Sequence, residues 1–202
     1  RKFGLICYPL EHSFSKKYFS DKLEKEGIQG AEYDLFEIES IDKLPAILEE
    51  NLDLVGLNVT IPYKEQVMNY LDEVDTIAHE IGAVNTIKIH NNKLFGYNTD
   101  YYGFKESLLK FIGAKQMPER ALILGTGGAS KAVEHVLKDL EIGYQFVSRI
   151  PSEGQLSYES LKHNSKLTTH SLVVNTTPLG TYPNTDQLPD LPYDQLTSNH
   201  LL

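Results

Sequence analysis

The stretch Ala121-Leu122-Ile123-Leu124-Gly125-Thr126-Gly127-Gly128-Ala129-Ser130 decides the fold of this chain. Four apolar residues read as a buried strand, and the three glycines that follow read as a tight turn. Residues 131–140 then space Ala132, Val133, Val136, Leu137 and Leu140 as the inner face of a helix. Glycines at such a strand-to-helix turn let backbone N–H groups approach a pyrophosphate, and the helix N-terminus adds partial positive charge. Gly125, Gly127, Gly128 and Ala129 are therefore candidate cofactor contacts. A plain tight turn is the competing reading; the strand before it and the helix after it weigh against that.

Downstream, residues 144–147 and 172–174 are short apolar runs set apart by longer segments. Buried β-branched runs alternating with helices imply parallel strands and a Rossmann-like sheet. In such sheets the tip of the second strand reads the nucleotide: an acid binds a free ribose, and a base accommodates a 2′-phosphate. Here the tip is Ser148-Arg149, with no acid, which favours NADP(H) over NAD. A solvated loop arginine is the alternative for Arg149. Residues 178–192 form the longest irregular stretch, expected at the surface or beside a ligand.

Upstream lies a separate alternation. Residues 3–7 read as a strand, 15–26 as a helix stopped by Gly27, and 33–38 and 54–59 as strands on either side of a helix over 41–50. Helical turns are expected over 64–70 and 73–81. Residues 84–89 and 93–97 alternate apolar with polar around Asn91-Asn92, a pair that tolerates positive φ and suits a hairpin. A helix over 101–111 and a connector over 113–120 lead to the glycine loop. The fold class expected is α/β: an N-terminal α/β substrate domain over 1–100, followed by a Rossmann-like NADP-binding domain over 101–202.

Composition bounds the partners. A chain of 202 residues, 41% hydrophobic and 23% charged, is a little long for one typical domain. A net charge of -9 argues against nucleic acid and against an acidic membrane surface, because phosphate-rich partners need a basic face. A small-molecule partner fits better. Cys7 is the sole cysteine, so no intrachain disulfide forms, and with no signal-peptide core or long apolar run the cytoplasm is the default. The seven histidines and Cys7 show no ligand spacing, so no metal is expected.

Several polar signatures precede the glycine loop: Asn58-Val59-Thr60-Ile61-Pro62-Tyr63-Lys64, Gly82-Ala83-Val84-Asn85-Thr86 and Asn98-Thr99-Asp100. By residue type alone, Lys64 is either a proton donor or a solvated lysine. Asp100 is either a ligand contact or the N-cap of the next helix, and Ser13 and Ser15 are either contacts or caps. Together with Tyr8-Pro9-Leu10-Glu11-His12-Ser13-Phe14-Ser15, the glycine loop and Asn175-Thr176-Thr177-Pro178-Leu179-Gly180, they resemble the shikimate dehydrogenase family over essentially the whole chain.

That resemblance implies NADPH-dependent reduction of 3-dehydroshikimate to shikimate, a step of aromatic amino-acid biosynthesis, by a monomer or homodimer. It implies that Ser13 and Ser15 hold the substrate carboxylate with Thr60 close by, and that Asn85 and Asp100 bind ring hydroxyls. Lys64 is the catalytic acid or base, with Asp100 orienting it. Ser148 and Arg149 meet the 2′-phosphate, and Thr176 and Pro178 lie near the nicotinamide. Departures from the family pattern stand at Cys7, Lys16-Lys17, Ile150 and Thr181. Family members continue past the equivalent of Leu202 with a helix that returns to the first domain and carries a glutamine to the substrate. Without that segment the first domain is expected to expose apolar surface and the chain to turn over poorly. Two alternatives stand beside the favoured reading: a quinate or shikimate dehydrogenase using NAD as well, and a catalytically silent small-ligand binding module.

Overall fold

The computed structural model describes residues 1–10, 14–182 and 184–202. The chain divides into two compact units, Arg1–Thr99 and Asp100–Leu202.

The first unit runs β1 (Lys2–Cys7), α1 (Ser15–Lys25), β2 (Glu32–Glu37), a 3₁₀ turn (Ile41–Lys43) leading into α2 (Leu44–Glu50), and β3 (Leu54–Val59). A second 3₁₀ turn (Gln66–Tyr70), β4 (Glu73–Val74), α3 (Thr76–Ile81), β5 (Thr86–His90) and β6 (Lys93–Tyr97) follow. The sheet order is β2-β1-β3-β5-β6-β4. β1 is parallel to β2 and β3, whereas β5 runs antiparallel to β3 and β6. Strand periodicity sorts the side chains. Ile6, Leu57, Val59 and Ile87 enter the main core with Leu44 and Ile47 of α2, while Leu5, Cys7 and Tyr33 form a smaller cluster with Phe19 against it.

Local chemistry sets the boundaries. α1 stops because Gly27 adopts φ +67° and Ile28 N–H returns to Leu23 C=O at 2.9 Å. Asn91 and Asn92 both take positive φ (51° and 58°), which gives the β5–β6 hairpin the turn that matches strand twist. One expectation is corrected: residues 73–81 are not helical throughout. Asp75 caps α3 by accepting from Ile77 N–H at 3.1 Å, so the helix begins at Thr76 and Glu73–Val74 pair with β6.

α4 (Thr99–Ile112) leads into the second unit, whose elements are β7 (Arg120–Leu124), α5 (Gly128–Asp139), β8 (Gly143–Ser148), β9 (Leu156–Ser157), α6 (Tyr158–His163), α7 (Lys166–Thr169) and β10 (Leu172–Asn175). All strand pairs are parallel, in the order β10-β7-β8-β9. β7, first in the chain, therefore lies between its successors. The strand order reverses there, which is the switch point of a Rossmann-like sheet. Leu122, Leu124, Val147 and Val173 fill the core with Leu161 and Leu167, and α5 buries Ala132, Val133, Val136 and Leu137 as its spacing requires. No helix or strand occurs between Asn175 and Tyr193 among the described residues, in line with the irregular stretch read from the sequence.

Candidate active site

In the first unit the signature residues collect where β1 and β3 end and β5 begins. Thr60 follows β3, donates its N–H to Ile6 C=O at 3.2 Å and accepts from Tyr63 N–H at 2.9 Å. Tyr63 is buried, its hydroxyl donates to Ile38 C=O, and burial pushes its pKa up. Lys64 is thus placed by an anchored neighbour, and its own carbonyl accepts from Val84 N–H at 2.7 Å. A cavity of about 360 Å³ at this end is lined by Cys7, Tyr8, Pro9, Phe14, Ser15 and Thr60, which brings two expected ligand contacts to one opening. Burial raises the Cys7 thiol pKa, helped by Glu37, so the thiol stays protonated and acts as a packing group.

Asn85 is 8% exposed, and its amide is fully oriented. Oδ1 accepts from Thr99 N–H at 2.8 Å and from the hydroxyls of Thr99 and Thr86, each at 3.1 Å. A backbone N–H can only donate, so the carbonyl oxygen of the side chain must face Thr99, and the NH₂ is the group left to donate outward. Asn98 is buried and donates to Ala83 C=O at 2.9 Å. Asp100 follows directly on Thr99. It lies within the first turn of α4 and is not its N-cap, because the helix starts at Thr99 and not at residue 101. Next along the helix, the Tyr101 hydroxyl bonds Asp139 of α5 and accepts from Lys105 Nζ at 2.8 Å. Ser15 is the first residue of α1, and Phe14 stands in the cap position with no side-chain cap bond. Ser13 lies outside the described residues.

The second unit offers a cradle that a Cβ would fill. Gly125 has φ +104°, and a Cβ there would come within 3.0 Å of Thr176 Oγ1 and of Thr177 Cγ2. Its N–H is given to Val147 C=O at 2.9 Å, so Gly125 shapes the turn and does not donate to a ligand. At Gly127, the N-cap of α5, a Cβ would meet nothing within 4 Å, which leaves open space over the helix N-terminus. Ser130 N–H is given to Gly127 C=O at 3.0 Å, but the N–H groups of Gly128 and Ala129 precede any i−4 acceptor within α5 and carry the positive end of the dipole, so an anion fits there. Thr176 gives its hydroxyl to Leu124 C=O at 2.6 Å, which holds the loop after β10 beside the glycine turn. At the β8 tip, Ser148 Oγ accepts from Ile150 N–H at 3.2 Å and Arg149 is exposed. Arg149 draws down the Tyr158 pKa, which burial raises on balance. A base without an acid at this tip suits a 2′-phosphate.

Two participants escaped the sequence reading of roles. Asn58, within the first signature, accepts from the Tyr33 hydroxyl at 2.8 Å and reaches Thr86 Oγ1 at 3.5 Å. The available signal was alternation: Asn58 sits between Leu57 and Val59 and so faces away from the main core. Tyr33 carried no signal, being one more aromatic in a strand.

A parallel-sheet unit with a glycine loop at its switch point, preceded by an α/β unit that gathers hydroxyls, an asparagine and a lysine, defines a dinucleotide-binding α/β protein with a separate small-ligand unit. The chain belongs to the shikimate dehydrogenase family. The family described as the shikimate dehydrogenase substrate binding domain matches residues 5–87. The shikimate dehydrogenase (NADP(+)) of Clostridium beijerinckii is 38% identical over 196 residues, 93% of this chain and 71% of that protein. The solved structure of shikimate dehydrogenase 1 from Peptoclostridium difficile is 40% identical, with a TM-score of 0.75 over 91% of this chain and 69% of that one. That of the Thermus thermophilus enzyme, in complex with NADP(H) and shikimate, is 29% identical, with a TM-score of 0.74 over 96% of this chain and 74% of that one. These relatives do not favour the NAD-using or catalytically silent alternatives.

Proposed function

We propose that this protein catalyses the reversible NADP(H)-dependent reduction of 3-dehydroshikimate to shikimate, in the cytoplasm, as a monomer or homodimer with neither nucleic-acid nor membrane partner. The observation that carries the reading is the gathering of Ser15 and Thr60 at one cavity, in a chain 38% identical to an NADP-dependent shikimate dehydrogenase. Among the described residues, no helix is long and apolar enough to cross a membrane.

The residues of the glycine loop and the β8 tip would hold NADPH, which when bound would supply the hydride to the carbonyl carbon and leave the developing negative charge on the carbonyl oxygen. Lys64 gives a proton to that oxygen from about 3 Å and takes it back in the reverse direction. Asn85 donates its NH₂ to a ring hydroxyl, and Asp100 accepts from another and orients Lys64. Ser15 and Thr60 donate to the substrate carboxylate, with Ser13 assigned beside them. Gly127, Gly128 and Ala129 present N–H groups to the pyrophosphate, while Gly125 makes the turn they need. Ser148 and Arg149 meet the 2′-phosphate, and Thr176 and Pro178 border the nicotinamide.

Nicotinamide absorbance with shikimate or quinate, each with NADP or NAD, tests this. Turnover is expected with shikimate and NADP, and Lys64→Ala should lower kcat about 10²–10⁴-fold while shikimate binding changes little. Unchanged turnover in the variant, or equal use of quinate, would refute the assignment.

A further inference from the structure

One side chain sets the conformation of the loop after β10. Asn175, the last residue of that strand, pairs in register with Leu124 of β7. Its Oδ1 accepts from Thr177 N–H at 3.0 Å and from the Thr177 hydroxyl at 2.6 Å, while its Nδ2 donates to Leu179 C=O at 3.0 Å. A carboxamide that accepts from one residue and donates to another two further on closes the loop between them. Thr177 Oγ1 in turn accepts from Leu179 N–H at 3.3 Å. Thr176 gives its N–H and its hydroxyl to Leu124 C=O, at 2.9 and 2.6 Å. A Cβ on Gly125 would come within 3.0 Å of both threonines, so the loop lies against the glycine turn.

Every hydrogen-bond donor of residues 176–179 is thereby taken. The N–H groups of Thr176, Thr177 and Leu179 and the hydroxyls of both threonines have acceptors within the loop or on β7, and Pro178 has no N–H to give. What this wall offers a ligand is carbonyl oxygens, methyl groups and the Pro178 ring. The N-terminus of α5, on the other side of the glycine turn, offers the opposite: the N–H groups of Gly128 and Ala129 and the positive end of the dipole. An anion is drawn to α5 and turned away from the loop, whereas a ring that carries a carboxamide donor suits the loop.

We propose that Asn175 is a positioning residue for the nicotinamide: by locking residues 176–179 and taking up both Thr177 donors, it presents the ring with a wall that only accepts. This rests on the function proposed above, in which Thr176 and Pro178 border the nicotinamide. The pyrophosphate and 2′-phosphate are assigned to other residues, so nucleotide affinity does not depend on Asn175. Hydride transfer does, because a misplacement of about 1 Å costs about 10²-fold in rate.

Asn175→Ala frees both Thr177 donors and Leu179 C=O. kcat should fall about tenfold with the NADP and shikimate KM within about threefold, and the primary isotope effect with NADPH deuterated at the transferred position should grow. Two readouts need no turnover. The emission of bound NADPH, which reports its nicotinamide, should lose about half of its enhancement, while 2′-phospho-ADP-ribose, the cofactor without that ring, should bind within about twofold of the unsubstituted protein. Amide exchange at Thr177 and Leu179 should quicken about tenfold while β7 keeps its protection. Thr177→Val removes the shared hydroxyl and should act in the same direction; because the two side chains form one unit, the double variant should lose less than the product of the single losses. Unchanged kcat and emission, a loss confined to the NADP KM, or multiplicative effects in the double variant would each overturn the proposal. Where Asn175→Ala fails to fold, Thr177→Val decides by the same readouts. An unsubstituted protein that binds NADPH without turning over shikimate would refute the functional reading, while the emission and exchange measurements would still decide the role of Asn175.

Discussion

Gly125 and Gly127 stand two residues apart in one loop, and the structure predicts opposite consequences for replacing them with alanine. At Gly125 the backbone holds φ +104°, where an L side chain is strained, and the new Cβ would sit 3.0 Å from both Thr176 Oγ1 and Thr177 Cγ2. Strain of about 1–3 kcal/mol and overpacking of similar size combine to about 2–5 kcal/mol of lost stability. Thr176 cannot easily retreat, because its hydroxyl and its N–H both hold Leu124 C=O, at 2.6 and 2.9 Å. At Gly127 φ is -83°, open to any residue, and the Cβ would touch nothing. Gly127→Ala should therefore change stability by no more than about 1 kcal/mol, with the loss of unfolded-state freedom even favouring it. Its methyl instead projects into the open space proposed above for the pyrophosphate, so on that proposal NADP affinity should fall about tenfold or more, at least about 1.4 kcal/mol. Urea unfolding reports the first quantity and NADP titration the second. Equal destabilisation by the two variants, or unimpaired NADP binding by Gly127→Ala, would refute the division of roles between shaping the turn and facing the ligand.

Three further outcomes are expected. Asn85→Ala removes the acceptor of three donors, one of them a backbone N–H, and should cost about 1–3 kcal/mol in a thermal or urea melt; Asn85→Asp keeps the acceptor, so it should retain most of that stability and still raise the shikimate KM. Arg149→Asp puts an acid at the β8 tip and should raise the NADP KM about tenfold or more while relieving the bias against NAD, as steady-state rates with each cofactor would report. His170 is buried, its Nδ1–H donates to Lys166 C=O at 2.7 Å, and burial lowers its pKa below the usual 6.5. The unfolded state therefore takes up the proton first, so stability should fall as pH drops below about 6.5, and His170→Asn should flatten that part of a pH–stability profile.

Much of this was legible because the decisive features are local. Gly125, Gly127 and Gly128 between an apolar strand and an amphipathic helix admit few folds, and Asn91-Asn92 could set their own turn. What stayed illegible depends on pairings distant in sequence or on very short elements. Glu73–Val74 read as helix because apolar spacing continues into α3; the cap at Asp75 and the partner strand β6 override it. β9, α6 and α7 span two, six and four residues, too few for a period to register. In the candidate site the residue types were readable one by one, but the orientation of Asn85 by Thr99 and the bond from Tyr33 to Asn58 join residues up to 25 apart, which spacing does not reveal.

Both units place their candidate chemistry where parallel strands end, for one physical reason. Within the strands, alternate side chains are claimed by packing: Ile6, Leu57 and Val59 in the first unit, Leu122, Leu124 and Val173 in the second. The backbone there is claimed by the ladders. Just past the strand end the N–H groups of Thr60, Gly125 and Thr176 still bond the neighbouring strand and fix the position, while the chain beyond them leaves the ladder. Thr60 after β3, Gly125 after β7, Arg149 after β8 and Thr176 after β10 all occupy that boundary. Cys7, still inside β1, marks its inner side: it is buried, its thiol pKa is raised, and it serves packing. Arg149, exposed just beyond β8, should on substitution alter ligand affinity with little change in unfolding free energy, whereas substitution of buried Cys7 inside β1 should do the reverse. Gly125 is the exception the geometry explains, since its positive φ and its contact with Thr176 make it part of the packing.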